Sequence, residues 1–167
     1  MNFVDSPAGS SKTEIYRQLL AQLAAVFVGE RDGLANMSNM SALIYSSLPA
    51  LNWAGFYLLR EGGLVLGPFQ GKAACVRIAL GQGVCGTAAQ RRETVIVPDV
   101  HAFPGHIACD SASRSEIVVP LIHQDRVLGV LDLDSPQLAR FDQEDANNLN
   151  EIVELLMKSS ELGRIIG

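Results

Sequence analysis

Charge is scarce in this chain of 167 residues: 19% are Asp, Glu, Lys or Arg, and 13 basic side chains face 18 acidic ones. A formal net charge of -5 leaves no broad basic surface, which excludes a general grip on nucleic acid or on an anionic membrane. Long apolar runs are also missing. Uninterrupted stretches such as Leu23 to Val28 are short, whereas a bilayer crossing takes about 20 residues. Met1 to Ser11 shows neither a basic leader nor an apolar segment before a cleavage site, so the expected compartment is the cytoplasm. Cysteine is rare, three residues in all and none in a Cys-x-x-Cys pair, which points to reduced thiols rather than a disulfide framework or a zinc ribbon. A Walker loop and a Gly-x-Ser-x-Gly elbow are absent as well. Apolar residues, in contrast, make up 48% of the chain, enough for one folded domain spanning residues 1–167. With so little charge, a mean hydropathy of +0.19 points to an apolar surface that a homodimer would hide.

The order of elements is legible from periodicity and caps. Ser11-Lys12-Thr13-Glu14 has the spacing of a capping box, and Ile15, Leu19, Leu23 and Phe27 follow at fours, predicting a first helix that ends near Gly29. A second helical pattern runs from about Leu34 to Leu48. The period changes at Asn52. Trp53 to Leu59 and Leu64 to Leu66 flank Glu61-Gly62-Gly63 and read as a hairpin. A third strand is expected over Ala74 to Leu80, then a short helix over Val84 to Arg92 and an extended run over Thr94 to Val97. Pro98 to Ser113 forms a loop too long for a plain connector. Ile117 to Ile122 and Val127 to Leu133 form an antiparallel pair, and Asp142 with Asp145 caps a last helix whose stripe is Leu149, Ile152, Val153 and Leu156. The class is α+β: a mostly antiparallel sheet, N- and C-terminal helices on one face, and loops roofing a pocket on the other.

Strict alternation along Arg126 to Asp134 puts Leu128, Val130, Asp132 and Asp134 on one face and Val127, Gly129, Leu131 and Leu133 on the other. Two carboxylates about 7 Å apart then continue an apolar face that ought to be covered, an expensive place for acids. Glu116 opens the neighbouring strand, so three carboxylates converge where the long loop departs. Such a cluster suits a ligand ammonium, and crowding would keep one member, Asp134 or Glu116, protonated as an acid. Trp53 and Tyr57 share a face unless a bulge intervenes, as an aromatic wall or as ordinary core.

Cys75 falls in the third strand, Cys85 at the start of the short helix, whose N-terminus favours a thiolate, and Cys109 in the long loop three residues after His106. Gly81-Gln82-Gly83-Val84-Cys85-Gly86 matches the dinucleotide fingerprint and Asp99 stands near the distance of a ribose-binding acid. The helix it opens is too short, however, and the flanking order is not βαβ. His101, His106, Cys109 and Cys85 lack the tight spacing of a zinc site.

Several segments together carry a family resemblance: Asn52-Trp53-Ala54-Gly55-Phe56-Tyr57, Gly81 to Ala88, Val97-Pro98-Asp99-Val100, Cys109-Asp110, Ser115 to Leu121, and Gly129 to Ser135. From about Leu20 to Leu156 the chain resembles the free methionine-(R)-sulfoxide reductases, which are single GAF domains. Element order alone fits any GAF domain, including a module that senses a small molecule or an oxidant without turnover. The three cysteines combined with Glu116, Asp132 and Asp134 are particular to the reductases. The resemblance implies reduction of the R sulfoxide of free methionine by thiols alone, without metal or other cofactor, and recycling by thioredoxin. It implies Cys109 as the attacking thiol and Cys75 and Cys85 as candidates to resolve the sulfenic acid. Asp134 would protonate the sulfoxide oxygen, Glu116 and Asp132 would hold the ammonium, and Trp53 and Tyr57 would wall the methyl group.

Overall fold

The computed structural model describes residues 10–105 and 110–162. Two helices come first. In α1 (Lys12–Val26) the Ser11 side chain accepts from the Glu14 amide at 3.2 Å, and in α2 (Gly33–Ser47) the Asp32 side chain accepts from Ala35 at 2.9 Å. Each cap satisfies an amide that has no partner inside its helix. Strands β1 (Trp53–Arg60) and β2 (Gly63–Gly71) then pair through a two-residue turn. Both turn residues, Glu61 and Gly62, have positive φ (51° and 79°), the conformation whose twist matches a right-handed hairpin.

β3 (Arg77–Ala79), α3 (Gly83–Arg91) and β4 (Val95–Val97) follow, then the long hairpin β5 (Ser115–His123) and β6 (Arg126–Ser135), and finally α4 (Gln143–Ser159). The sheet order is β3-β2-β1-β6-β5-β4 and each pairing is antiparallel. Cys75 is not in a strand: β3 is three residues long, and Cys75 lies in the irregular segment before it. β2 in turn runs five residues past the expected Leu66.

One sheet face packs under α1, α2 and α4. Phe56, Leu58, Ile117, Val119, Leu131 and Leu133 meet Leu19, Leu23, Met37, Met40 and the α4 stripe in a continuous buried core. The α4 start is a full capping box, with Asp142 accepting from Glu144 and Asp145 while Asp145 accepts from the Asp142 amide at 2.9 Å. Asp145 is itself fully buried. It also takes hydrogen bonds from the Tyr16 hydroxyl (2.8 Å), Lys12 Nζ (2.8 Å) and Arg140 Nη1 (3.2 Å), tying α1, α4 and the segment before α4 into one node.

The opposite face is covered by α3 as well as by loops, with Val84, Cys85, Ala88 and Ala89 packed against Val118 and Val130. Strict alternation along β6 fails at one place. The register passes from Leu121↔Gly129 to Ile122↔Val127, so Leu128 is an extra residue in a bulge. Leu128 therefore packs with the helix-side core and Val127 with the other cluster, the reverse of the sequence expectation. Gly129 follows, where a Cβ would lie 2.2 Å from the Tyr57 carbonyl oxygen, so this close approach of β6 to its neighbour β1 requires glycine. Beyond Gly129 the alternation is regular, and it carries Asp132 and Asp134 onto the α3 side.

Candidate active site

Register alone brings the acids together. Trp53 faces Asp134, Asp134 faces Glu116, and Glu116 faces Val97, which makes one row across four strands. The next row on the same face is Gly55, Asp132 and Val118. Two carboxylates directly opposite each other repel, and here a third stands two residues along. Glu116 and Asp132 are each 6% exposed and Asp134 is half-buried. Burial, reinforced by the neighbouring acids, raises Glu116 and Asp134 well above the ordinary carboxylate range, and burial pushes Asp132 up to about 7. At neutral pH this cluster retains protons. One Asp132 oxygen, Oδ1, is buried with no hydrogen-bond partner.

The acids form the floor of a hollow of about 540 Å³, its open mouth included. Its walls come from separate parts of the chain: Trp53 and Tyr57 of β1, Ala73 and Ala74 before β3, the first turn of α3, and Asp110 and Ser113 of the long loop. Among the described residues no Lys, Arg or His lines it. Trp53 and Tyr57 stack, ring centroids 5.9 Å apart, so they share a face; the bulge opposite Gly55 and Tyr57 puts its extra residue in β2. Their polar ends hold the segment that bears Cys75. Trp53 Nε1 donates to the Lys72 carbonyl at 3.1 Å and the Tyr57 hydroxyl to the Cys75 carbonyl at 3.0 Å.

The three cysteines fare differently. Cys75 is half-buried and disulfide-bonded. Cys85 is a free, buried thiol in the first turn of α3, its Sγ 3.9 Å from Glu116 Oε1. The expected thiolate-favouring helix terminus is overruled there: burial first, and then Asp132 and Glu116, drive this thiol well above its usual value. Cys109 and His106 lie outside the described residues. The nucleotide fingerprint is spent on a turn and on a helix of nine residues, and Asp99 caps a short 3₁₀ turn by accepting from the His101 amide at 3.0 Å.

The rim holds residues that periodicity did not single out. Asn52 Nδ2 donates to Ser113 Oγ (2.9 Å) and to Asp110 Oδ2 (3.2 Å), and Lys72 Nζ stands 3.4 Å from Asp110 Oδ1. Asn52 and Asp110 do adjoin Trp53 and Cys109 inside the quoted motifs, which is the signal that would have found them. The Asp110 carboxyl is held below its usual range, chiefly by the Ala112 amide.

An antiparallel sheet with helices on one face, and a hollow beneath a short helix on the other, defines a GAF domain. The GAF domain family matches residues 36–157. The free methionine-R-sulfoxide reductase of Escherichia coli (strain K12) is 53% identical over 148 residues, 89% of this chain and 90% of that protein. The free methionine-R-sulfoxide reductase of Saccharomyces cerevisiae is 46% identical, covering 93% of this chain and 91% of its own. The X-ray structure of the free methionine-R-sulfoxide reductase from Neisseria meningitidis in complex with its substrate is 46% identical and superposes with a TM-score of 0.89 over 95% of each chain. This chain belongs to the free methionine-R-sulfoxide reductase family and is an oxidoreductase. Among the described residues no helix is long and apolar enough to cross a membrane.

The site was built at a cost in stability. Asp132→Asn removes a charge that must be desolvated while keeping the side-chain shape, and its amide can donate to Glu116. The expected result is a native state more stable by about 1–2 kcal/mol at neutral pH, read by denaturant melts, together with a raised KM for substrate. A variant less stable than wild type would show that the buried acid contributes to the fold.

Proposed function

We propose that this chain reduces free methionine-(R)-sulfoxide to methionine using only its own thiols, with thioredoxin as the external reductant. The observation that carries this reading is the hollow itself, in which three converging carboxylates and an aromatic stack lie beside the segment bearing Cys75. A free amino acid brings an ammonium, and Asp132 with its unpartnered oxygen and Glu116 suit it. A peptide-bound residue has an amide there instead, so the same acids select for the free form. The backbone N–H groups of Gly83 and Val84, at the α3 N-terminus and in the wall of the hollow, suit the α-carboxylate. The faces of Trp53 and Tyr57 take the S-methyl group, which leaves the sulfoxide oxygen toward the acids. That division is what distinguishes one epimer from the other.

Sulfoxide oxygen does not leave unprotonated, so an acid must supply a proton as sulfur is attacked. Asp134, held protonated by burial and by Asp132, fills that role. The Cys109 thiolate takes up the oxygen as a sulfenic acid: thiolate, sulfoxide and one proton give methionine and Cys–SOH. The Cys75 thiol then attacks the sulfenic sulfur, closing a disulfide and releasing water. A thioredoxin dithiol returns both thiols by exchange. Between the two candidates for resolving thiol, Cys75 is favoured because it is disulfide-bonded while Cys85 is free.

NADPH oxidation coupled through thioredoxin and its reductase tests the reading. Turnover is expected with free L-methionine-(R)-sulfoxide and not with the S epimer or a peptide-bound sulfoxide. Comparable rates on all three would overturn the placement of ammonium and methyl group.

A further inference from the structure

The redox cycle proposed above leaves one reactive group unused, the buried thiol of Cys85. We propose that Cys85, Glu116 and Asp132 form a binding site for one divalent cation of the zinc and cadmium type. Their Sγ and carboxylate oxygens lie within 4.8 Å of one another, and all three residues are buried. A tetrahedral ion with bonds of about 2.0–2.3 Å holds its ligand atoms about 3.3–3.8 Å apart. The Cys85 to Glu116 distance of 3.9 Å is already close to that. Small side-chain rotations would close the remainder.

A separate feature points to a ligand at this spot. Asp132 Oδ1 is a buried acceptor with no partner, on a side chain that lines the hollow. The hollow lacks any Lys, Arg or His among its described walls to balance the acids. The donor set selects the kind of ion. A thiolate with two carboxylates suits borderline zinc or cadmium, whereas calcium takes six to eight oxygens and magnesium keeps an octahedral shell with several waters. Three protein ligands leave a fourth position facing the hollow, where a bound ion would stand in the way of the substrate ammonium. Cys85 is free while Cys75 is disulfide-bonded, so oxidation of Cys75 leaves the ligand set intact. Occupation of the site would make the reductase sensitive to free zinc or cadmium through a thiol that takes no part in its own redox cycle. That block rests on the substrate reading of the hollow; the binding of the ion does not.

The test uses the full chain with Cys75→Ser and Cys109→Ser, which keeps Cys85 as its single thiol, titrated with cadmium chloride. The expected result is an ultraviolet sulfur-to-cadmium charge-transfer band that saturates at one ion per chain. Adding Cys85→Ser should abolish the band, and adding Asp132→Asn should weaken ion binding by at least about tenfold, with circular dichroism confirming that each variant is folded. Failure to saturate at one ion per chain, or an affinity unchanged by Asp132→Asn, would overturn the site. The readout is ion binding, so its outcome is independent of whether the sulfoxide is the substrate.

Discussion

In a Cys75→Ser variant, reduction of free methionine-(R)-sulfoxide is expected to stop after one methionine per chain, with the enzyme trapped as a sulfenic acid that a dione reagent labels. Cys109→Ser should make no such burst, and its steady rate should fall at least about a thousandfold. In the proposed cycle the two outcomes differ because the thiols would act in sequence: the first removes oxygen from substrate and the second only regenerates the first. The attacker must be available as thiolate. An ordinary cysteine of pKa about 8.5 is only about 3% ionised at pH 7. Cys85, in its nest of carboxylates, is driven further from ionisation than that. Cys75 is the thiol whose backbone is clamped to the substrate wall by the Tyr57 hydroxyl. That contact fits a residue which must meet a newly oxidised partner without a long search. Quantifying methionine released per chain by rapid quench, with thioredoxin and its reductase present so that the wild-type chain turns over, reads this directly. A one-turnover stop in Cys85→Ser instead of Cys75→Ser would assign the resolving role to Cys85 and sink the pairing proposed here.

The largest effect on stability lies far from the chemistry. Asp145→Ala should cost about 3–5 kcal/mol and lower Tm by about 10 °C for a chain of this size. Asp145 is fully buried and gathers the Tyr16 hydroxyl, Lys12, Arg140 and the amide of its own N-cap. Removing the carboxylate leaves the Arg140 guanidinium, its side chain 10% exposed, without that counterion and the Tyr16 hydroxyl without an acceptor. A buried group left unpaired costs far more than the net gain its pair supplied. The control is Lys12→Ala. Lys12 is 31% exposed and screened by water, so its loss should cost no more than about 1 kcal/mol. Equal and small losses in both variants would mean that the node is an ordinary surface cluster.

Local rules placed the helices and the two long hairpins, but not the extents of β2 and β3. Ser11, Asp142 and Asp145 marked helix starts because short polar side chains satisfy orphan amides wherever a helix begins. Glu61-Gly62 marked the hairpin because positive φ is cheap at a glycine and tolerable beside one. The alternation of Leu131, Asp132, Leu133 and Asp134 placed two acids on a covered face, and the structure keeps them there. The same rule failed at Leu128, where a bulge reverses the faces. A bulge depends on how β6 pairs with β5 while lying close against β1 at Gly129, which two-residue alternation does not register.

What the chain announced on its own was an α+β domain with an acid cluster and scarce, separately placed thiols, because caps, turns and two-residue alternation are decided within a few neighbouring residues. The reversal of Cys85 from favoured to disfavoured thiolate, the removal of Cys75 from a strand, and the rim of Asn52, Asp110 and Ser113 were decided only by the fold. Each depends on strand register or on burial by a distant segment. Desolvation in particular is a property of what surrounds a group, and the sequence of that group's own element does not contain it.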